Sequence, residues 1–258
     1  MISCSPFTPG HLAAAFRFLT ILPLPGRLGT TEEELAGSVG SFPLIGLLLG
    51  LICAGGAWVL WLVLPSLPAA ACLTLLLLAL SGGLHLDGLA DTADGFFSAR
   101  PDRTQILAIM RDSRIGAMGV IALIMLLLLK TAALATLDRP GVLAASLLLP
   151  LVGRSAIVLM MALLPYARPE GGLGGLFYTS HSRRSAIWAL GFAALVTLLV
   201  AGMAGLAVLG VTMGCMYLFG GYCRRKIGGA TGDTLGAACE LAELFMALGF
   251  AAMAGGGR

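Results

Sequence analysis

Runs of about twenty apolar residues recur along this chain, each closed by charge, glycine or proline, and runs of that length match a bilayer. Phe42 to Leu64 ends at Pro65, and Ala69 to Leu86 runs into a row of aspartates. Gly116 to Leu137 is closed by Asp138-Arg139-Pro140-Gly141, which leads into Val142 to Pro165. Ser185 to Met203, Leu206 to Tyr222 and Thr234 to Met253 complete the series. Charged residues make up 11% of the 258 residues and hydrophobic ones 58%, whereas a soluble domain carries about 25% charge. One aqueous core cannot hide so much apolar surface. The expected fold is all-α: a single polytopic membrane bundle over residues 42–253 with about seven spans, preceded by interfacial helices over 11–40.

At the start, His11 to Leu24 is too short to span and ends at Pro23 and Pro25; it reads as a helix in the interface plane. It has neither the leading basic residues nor the cleavage pattern of a signal peptide. Thr31 followed by Glu34 has capping-box spacing and predicts a short helix that breaks near Pro43. With the N-terminus in the cytoplasm, twelve of the sixteen Lys and Arg residues fall on cytoplasmic segments, from Arg17 and Arg27 through Arg168 to Lys226. This satisfies the positive-inside rule. The six cysteines stand singly, without C-x-x-C spacing, and read as small hydrophobes rather than zinc ligands or disulfides. A net charge of +3, spread along the chain, gives no nucleic-acid footprint.

Within this apolar background, Asp87, Asp91 and Asp94 are conspicuous. Their i, i+4, i+7 spacing puts three carboxylates on one helix face. At about 6 Å and an effective dielectric near 20, each neighbouring pair repels by about 3 kcal/mol. A divalent cation offsets that repulsion, and hard oxygen donors favour Mg²⁺. Gly82, Gly83, Gly88 and Gly95 flank the row and suggest close backbone approach. Arg100, Arg103, Arg111 and Arg114 follow, with Asp112 between the last two. Guanidinium forks suit phosphate oxygens, and Arg111 and Arg114 could share a helix face.

A second acidic row opens the last span. Asp233 could simply cap that helix, but Asp233 and Glu240 are i, i+7 and Glu243 follows. Acidic residues inside a span need a polar cavity. Thr231 and Gly232 ahead of them suit an anion. His85 falls opposite the aspartate face, in a supporting or packing position. Lys130 is expected to snorkel, and Arg154 to pair with a carboxylate or phosphate inside the bundle.

These strings resemble a known family. Leu84-His85-Leu86-Asp87-Gly88-Leu89-Ala90-Asp91-Thr92-Ala93-Asp94-Gly95 is similar to the signature of the cobalamin synthase (adenosylcobinamide-GDP ribazoletransferase) family. So are Phe42-Pro43-Leu44-Ile45-Gly46, Ile109-Met110-Arg111-Asp112-Ser113-Arg114 and Thr231-Gly232-Asp233-Thr234-Leu235-Gly236-Ala237, in the expected order. The resemblance implies a transferase of the bacterial inner membrane, with its site facing the cytoplasm. It would join adenosylcobinamide-GDP to α-ribazole or its 5′-phosphate with Mg²⁺ and release GMP. Asp87, Asp91, Asp94 and Glu240 would then hold Mg²⁺, and Asp94, Asp91 or Asp233 would serve the reacting hydroxyl. Arg100, Arg111, Arg114 and Gly232 would hold phosphate. Membrane lipid is the surrounding partner, and the resemblance is compatible with a homo-oligomer.

Two rival readings share parts of this pattern. CDP-alcohol phosphotransferases and membrane prenyltransferases also use spaced aspartates and Mg²⁺. The former, however, carry Asp-Gly-x-x-Ala-Arg, whereas here Asp87-Gly88 is followed by Ala90-Asp91 and the arginine is absent. A cation-coupled transporter would place acids near mid-membrane on several helices.

Overall fold

The computed structural model describes residues 8–99, 102–168, 173–178 and 182–255. Ten α-helices account for most of them: α1 Pro9–Leu19, α2 Glu32–Gly37, α3 Phe42–Val63, α4 Ser66–Leu80, α5 Leu84–Phe96, α6 Arg103–Ile109, α7 Ala117–Ala135, α8 Arg139–Leu163, α9 Ser182–Ile227 and α10 Gly232–Gly255. Among the described residues strand pairing is confined to one isolated bridge, between Tyr166 and Ala230. Leu62, Val63, Leu75, Leu128, Leu199 and Leu218 are each at least half exposed, as lipid-facing side chains are.

Local chemistry sets the helix ends. Thr8 caps α1 by accepting from His11 N, and α1 stops at Leu19, short of the prolines. The Thr31–Glu34 capping box forms in full. The helix it starts passes through a 3-10 turn, Ser38–Ser41, directly into α3, so Pro43 opens a helix rather than breaking one. That correction is physical: proline at a helix's first turn loses no hydrogen bond.

Helix α8 is the hub. It packs against α3, α9 and α10, and 78% of its span is buried within the protein, against 28% for α7. Close approach of α3 depends on Gly50, where an added Cβ would lie 2.0 Å from Leu147 O of α8. Gly50→Ala should therefore destabilise the fold by about 1–3 kcal/mol through overpacking. Thermal unfolding in detergent checks this, and an unchanged midpoint would contradict it.

Five helices are long and apolar enough to cross a membrane, or six if the bent pair α4 and α5 forms one broken span. The sequence reading needs correction at one place. The second run does not continue straight into the aspartates. Gly82 and Gly83 both take positive φ, 62° and 74°, and α5 turns 92° from α4. Residues with a Cβ rarely adopt that conformation, so the glycines serve as a corner. Helix α9 is a 46-residue run over both later expected spans, broken at Gly202 (φ 63°, ψ −160°), where the first of them gives way to the second. An added Cβ at Gly205 would sit 3.3 Å from Thr197 Cγ2, although eight residues of straight helix extend about 12 Å. The chain therefore folds sharply at Gly202.

Deep in the bundle, Lys130 Nζ on α7 donates to Glu240 Oε2 at 2.7 Å and to Glu243 Oε2 at 2.9 Å on α10. Arg154 of α8 pairs with Glu243 Oε1. Arg154 pairs with a carboxylate as expected. Lys130 does not snorkel: it is fully buried, because two carboxylates meet it there.

Candidate functional site

The corner at Gly82 and Gly83 turns α5 against α10, and the two helices touch through glycine. A Cβ on Gly88 would meet Asp233 O at 2.7 Å and Asp233 Cα at 2.9 Å, while one on Gly236 would meet His85 O at 3.1 Å. Small residues at a crossing let backbones approach this closely. The crossing brings Asp233 beside the α5 aspartates. The charges acting on Asp91 are, in order, those of Asp233, Asp87 and Asp94, opposed by Arg168. Gly88→Val should part the helices and reduce turnover by about tenfold or more, since a 1 Å misplacement in a site can cost 100-fold. Initial rates and helix content of the purified variant check this; wild-type rates would contradict it.

Asp233 is released from capping duty. Thr231 Oγ1 accepts from Thr234 N at 3.3 Å, and Thr234 Oγ1 accepts from Thr231 N at 2.8 Å. These two hydroxyls close the helix start themselves. Asp233 Oδ2 accepts from Arg168 Nη2 at 2.6 Å and from the Thr231 hydroxyl at 3.2 Å. Arg168 reaches it because the loop after α8 is pinned to the loop before α10. Ala167 N donates to Ala230 O at 2.8 Å, and Ala230 N to Pro165 O at 2.9 Å. Arg103 Nη2 braces the same loop at Ala167 O, 2.7 Å away. In the sequence Arg168 counts only among the positive charges of the cytoplasmic segments; its nearness to Asp233 depends on this long-range bridge and leaves no local signal.

Two hollows adjoin along α5, where they share Leu84 and Asp87. One is a cavity of about 240 Å³ lined by Phe18, Phe42, His85, Arg168, Phe177 and Asp233, among others. The other is an open cleft of about 540 Å³ that includes Asp91 and Ser113. Asp87 borders both.

The remaining expected residues are distributed differently. Asp94 turns towards α7, where its oxygens accept from Gly116 N at 2.7 Å and Gly119 N at 2.8 Å. A carboxylate is favoured at that helix start, so Asp94 ties α5 to α7. Glu240 lies in the buried ion pairs with Lys130 and is not gathered with the aspartates. The segment after α6 is a turn, so Arg111 and Arg114 share no helix face. Arg114 is 86% exposed and forks onto Asp112; those hydrogen bonds hold the Asp112 carboxyl down at about 2. Arg111 is exposed on the same turn, and Ser113 is the member of that motif that faces the cleft. Gly232 lines the cavity. Arg100 lies outside the described residues. Tyr166 lines the cavity, its ring 5.3 Å from that of Tyr178, and burial pushes the Tyr178 hydroxyl pKa up.

Among the described residues no three Asp, Glu, His or Cys side chains form a ready-made metal cage. The donors at the cleft are hard carboxylate oxygens of Asp87 and Asp91. Such a set fits Mg²⁺, which is commonly held by one or two carboxylates together with water and substrate phosphates.

Fold and site together define a multi-pass membrane enzyme with an acidic centre on one face of its bundle. The cobalamin-5-phosphate synthase family matches residues 11–251. An adenosylcobinamide-GDP ribazoletransferase of Syntrophobacter fumaroxidans is 43% identical over 92% of this chain and 96% of its own length. One from Desulforamulus reducens is 42% identical over 91% and 93%, and one from Citrobacter koseri 45% identical over 91% and 96%. No solved structure matches the chain. The chain belongs to the cobalamin-5-phosphate synthase family and is a transferase.

Proposed function

We propose that this protein joins adenosylcobinamide-GDP to α-ribazole, or to α-ribazole 5′-phosphate, with Mg²⁺ and release of GMP. The observation that carries this reading is the crossing of α5 and α10, which sets Asp87, Asp91 and Asp233 around one junction of cavity and cleft. Asp87 and Asp91 would hold Mg²⁺ at the cleft, where the ion would neutralise charge on the diphosphate. Asp233 accepts the proton of the attacking ribose hydroxyl. The new O–P bond forms as the P–O bond to GMP breaks, and GMP leaves with that electron pair. Arg168 holds Asp233 in place through Oδ2.

The same reading places the chain in a bacterial inner membrane, crossing seven times, with its N-terminus and site facing the cytoplasm. The fold of α9 at Gly202 supports the seven crossings. The transporter reading loses support. Glu240 and Glu243 do lie inside the bundle, but Lys130 and Arg154 neutralise them. Purified protein supplied with both substrates should form the cobalamin product and GMP in equal amounts, and only with Mg²⁺. No GMP release under those conditions would overturn the reading.

A further inference from the structure

We infer that the cavity between α5 and α10 binds the flat base of the acceptor nucleoside, with His85 as its in-plane hydrogen-bond partner. This rests on the proposed reaction and divides the site into an acceptor cavity and a donor cleft.

The cavity wall is aromatic. Phe18 and Phe177 ring centres lie 4.8 Å apart, and Phe42 and Phe177 5.6 Å apart. Offset and tilted rings of this kind pack well against a further aromatic ring. A cavity of about 150 Å³ takes a benzene ring, so about 240 Å³ has room for a fused bicycle. His85 is 3% exposed and lines this space. Its Nδ1 is buried and makes no hydrogen bond among the described residues. A buried polar atom left unpaired costs about 1–3 kcal/mol, which an in-plane ring nitrogen of a ligand would relieve. An acyl chain would leave that cost in place.

Guanine, the other base in the reaction, suits this cavity poorly. It carries several donors and acceptors around its rim, while beside the aromatic wall and the imidazole the polar lining is Asp87, Tyr166, Arg168 and Asp233, and the last two are already paired with each other, so part of that rim would be stranded. An azole base with one free ring nitrogen matches what is offered. The sugar then emerges at Asp233 and Arg168, and its hydroxyl meets Asp233 in the same cavity as Asp87, the residue shared with the cleft. The larger, open cleft with Asp91 and Ser113 is left for the diphosphate and the bulky corrinoid.

The test is equilibrium binding of α-ribazole, and separately of adenosylcobinamide-GDP with Mg²⁺, to the full-length protein in detergent. Steady-state KM values for both substrates accompany it. His85→Phe keeps a ring in place but removes the nitrogen. It should weaken α-ribazole binding and raise its KM by about tenfold, the equivalent of one hydrogen bond. Phe18→Leu should weaken α-ribazole binding by a few fold. Donor binding should be unchanged in both variants, which also shows that they fold. Weakened donor binding with intact α-ribazole binding would assign the cavity to guanine and overturn the inference. Unchanged binding of both substrates would overturn it too, as would displacement of α-ribazole by added phospholipid alone. Failure of the wild type to form cobalamin would sink the proposed reaction instead, while α-ribazole binding still reads the cavity directly.

Discussion

Asp91→Asn should lower turnover by about 100-fold or more, the scale for removing one charge-stabilising group from a reacting phosphoryl site, while leaving the protein folded and inserted. The asparagine keeps the shape of the side chain and removes its charge. Asp91 stands half-buried among the charges of Asp233, Asp87 and Asp94, so neutralising it relieves repulsion. The thermal midpoint should hold or rise as activity disappears. Asp87→Asn should behave alike. Asp94→Asn is the contrasting variant. Its two oxygens satisfy Gly116 N and Gly119 N, and an amide can accept only one of those bonds well. Loss of part of a helix cap costs about 1 kcal/mol, so Asp94→Asn should lower the midpoint with a smaller loss of rate. Initial rates and melts of the three variants decide the matter. A stable Asp94→Asn protein as inactive as Asp91→Asn would return Asp94 to the reacting centre.

Lys130→Met should destabilise the fold by about 3–5 kcal/mol, the cost of stranding a buried charge. The lysine is fully buried and is the cation that meets Glu240, with Glu243 shared between it and Arg154. Removing it leaves two carboxylates and one guanidinium in an apolar interior. Because the group joins α7, α8 and α10, the loss should unfold the bundle rather than loosen one helix. Lys130→Met combined with Glu240→Gln should recover much of the stability, since the charges balance again. Unfolding midpoints of the single and double variants check this. A single variant as stable as the wild type would show that the buried ion pairs contribute nothing.

How far the sequence was legible follows from the range of the interactions involved. The membrane class, the ends of α3, α7, α8 and α10, and the Thr31–Glu34 capping box rest on neighbours within a few residues, and all were readable. In the sequence, Gly82 and Gly83 have the look of close-approach sites within a helix. They are instead a positive-φ corner, and that corner, with the crossing at Gly88, decides where the aspartates point. A glycine pair gives the same letter pattern in both cases, and only the tertiary partner distinguishes them. Helical spacing alone put Asp87, Asp91 and Asp94 on one face, yet α7 takes Asp94 and α10 supplies Asp233. Arg168 and the burial of Lys130 were beyond local reading, because their partners Asp233 and Glu240 lie far along the chain.

The central claim is that the α5 carboxylates Asp87 and Asp91 at the α10 crossing grip a Mg²⁺-bound diphosphate. The most direct measurement is the affinity of the protein for adenosylcobinamide-GDP as Mg²⁺ is titrated, in the wild type and in Asp87→Asn/Asp91→Asn. Wild-type affinity should rise with Mg²⁺, and by linkage Mg²⁺ should bind more tightly in the presence of the nucleotide; the double variant should lose that dependence. An identical Mg²⁺ dependence in both proteins would contradict the claim.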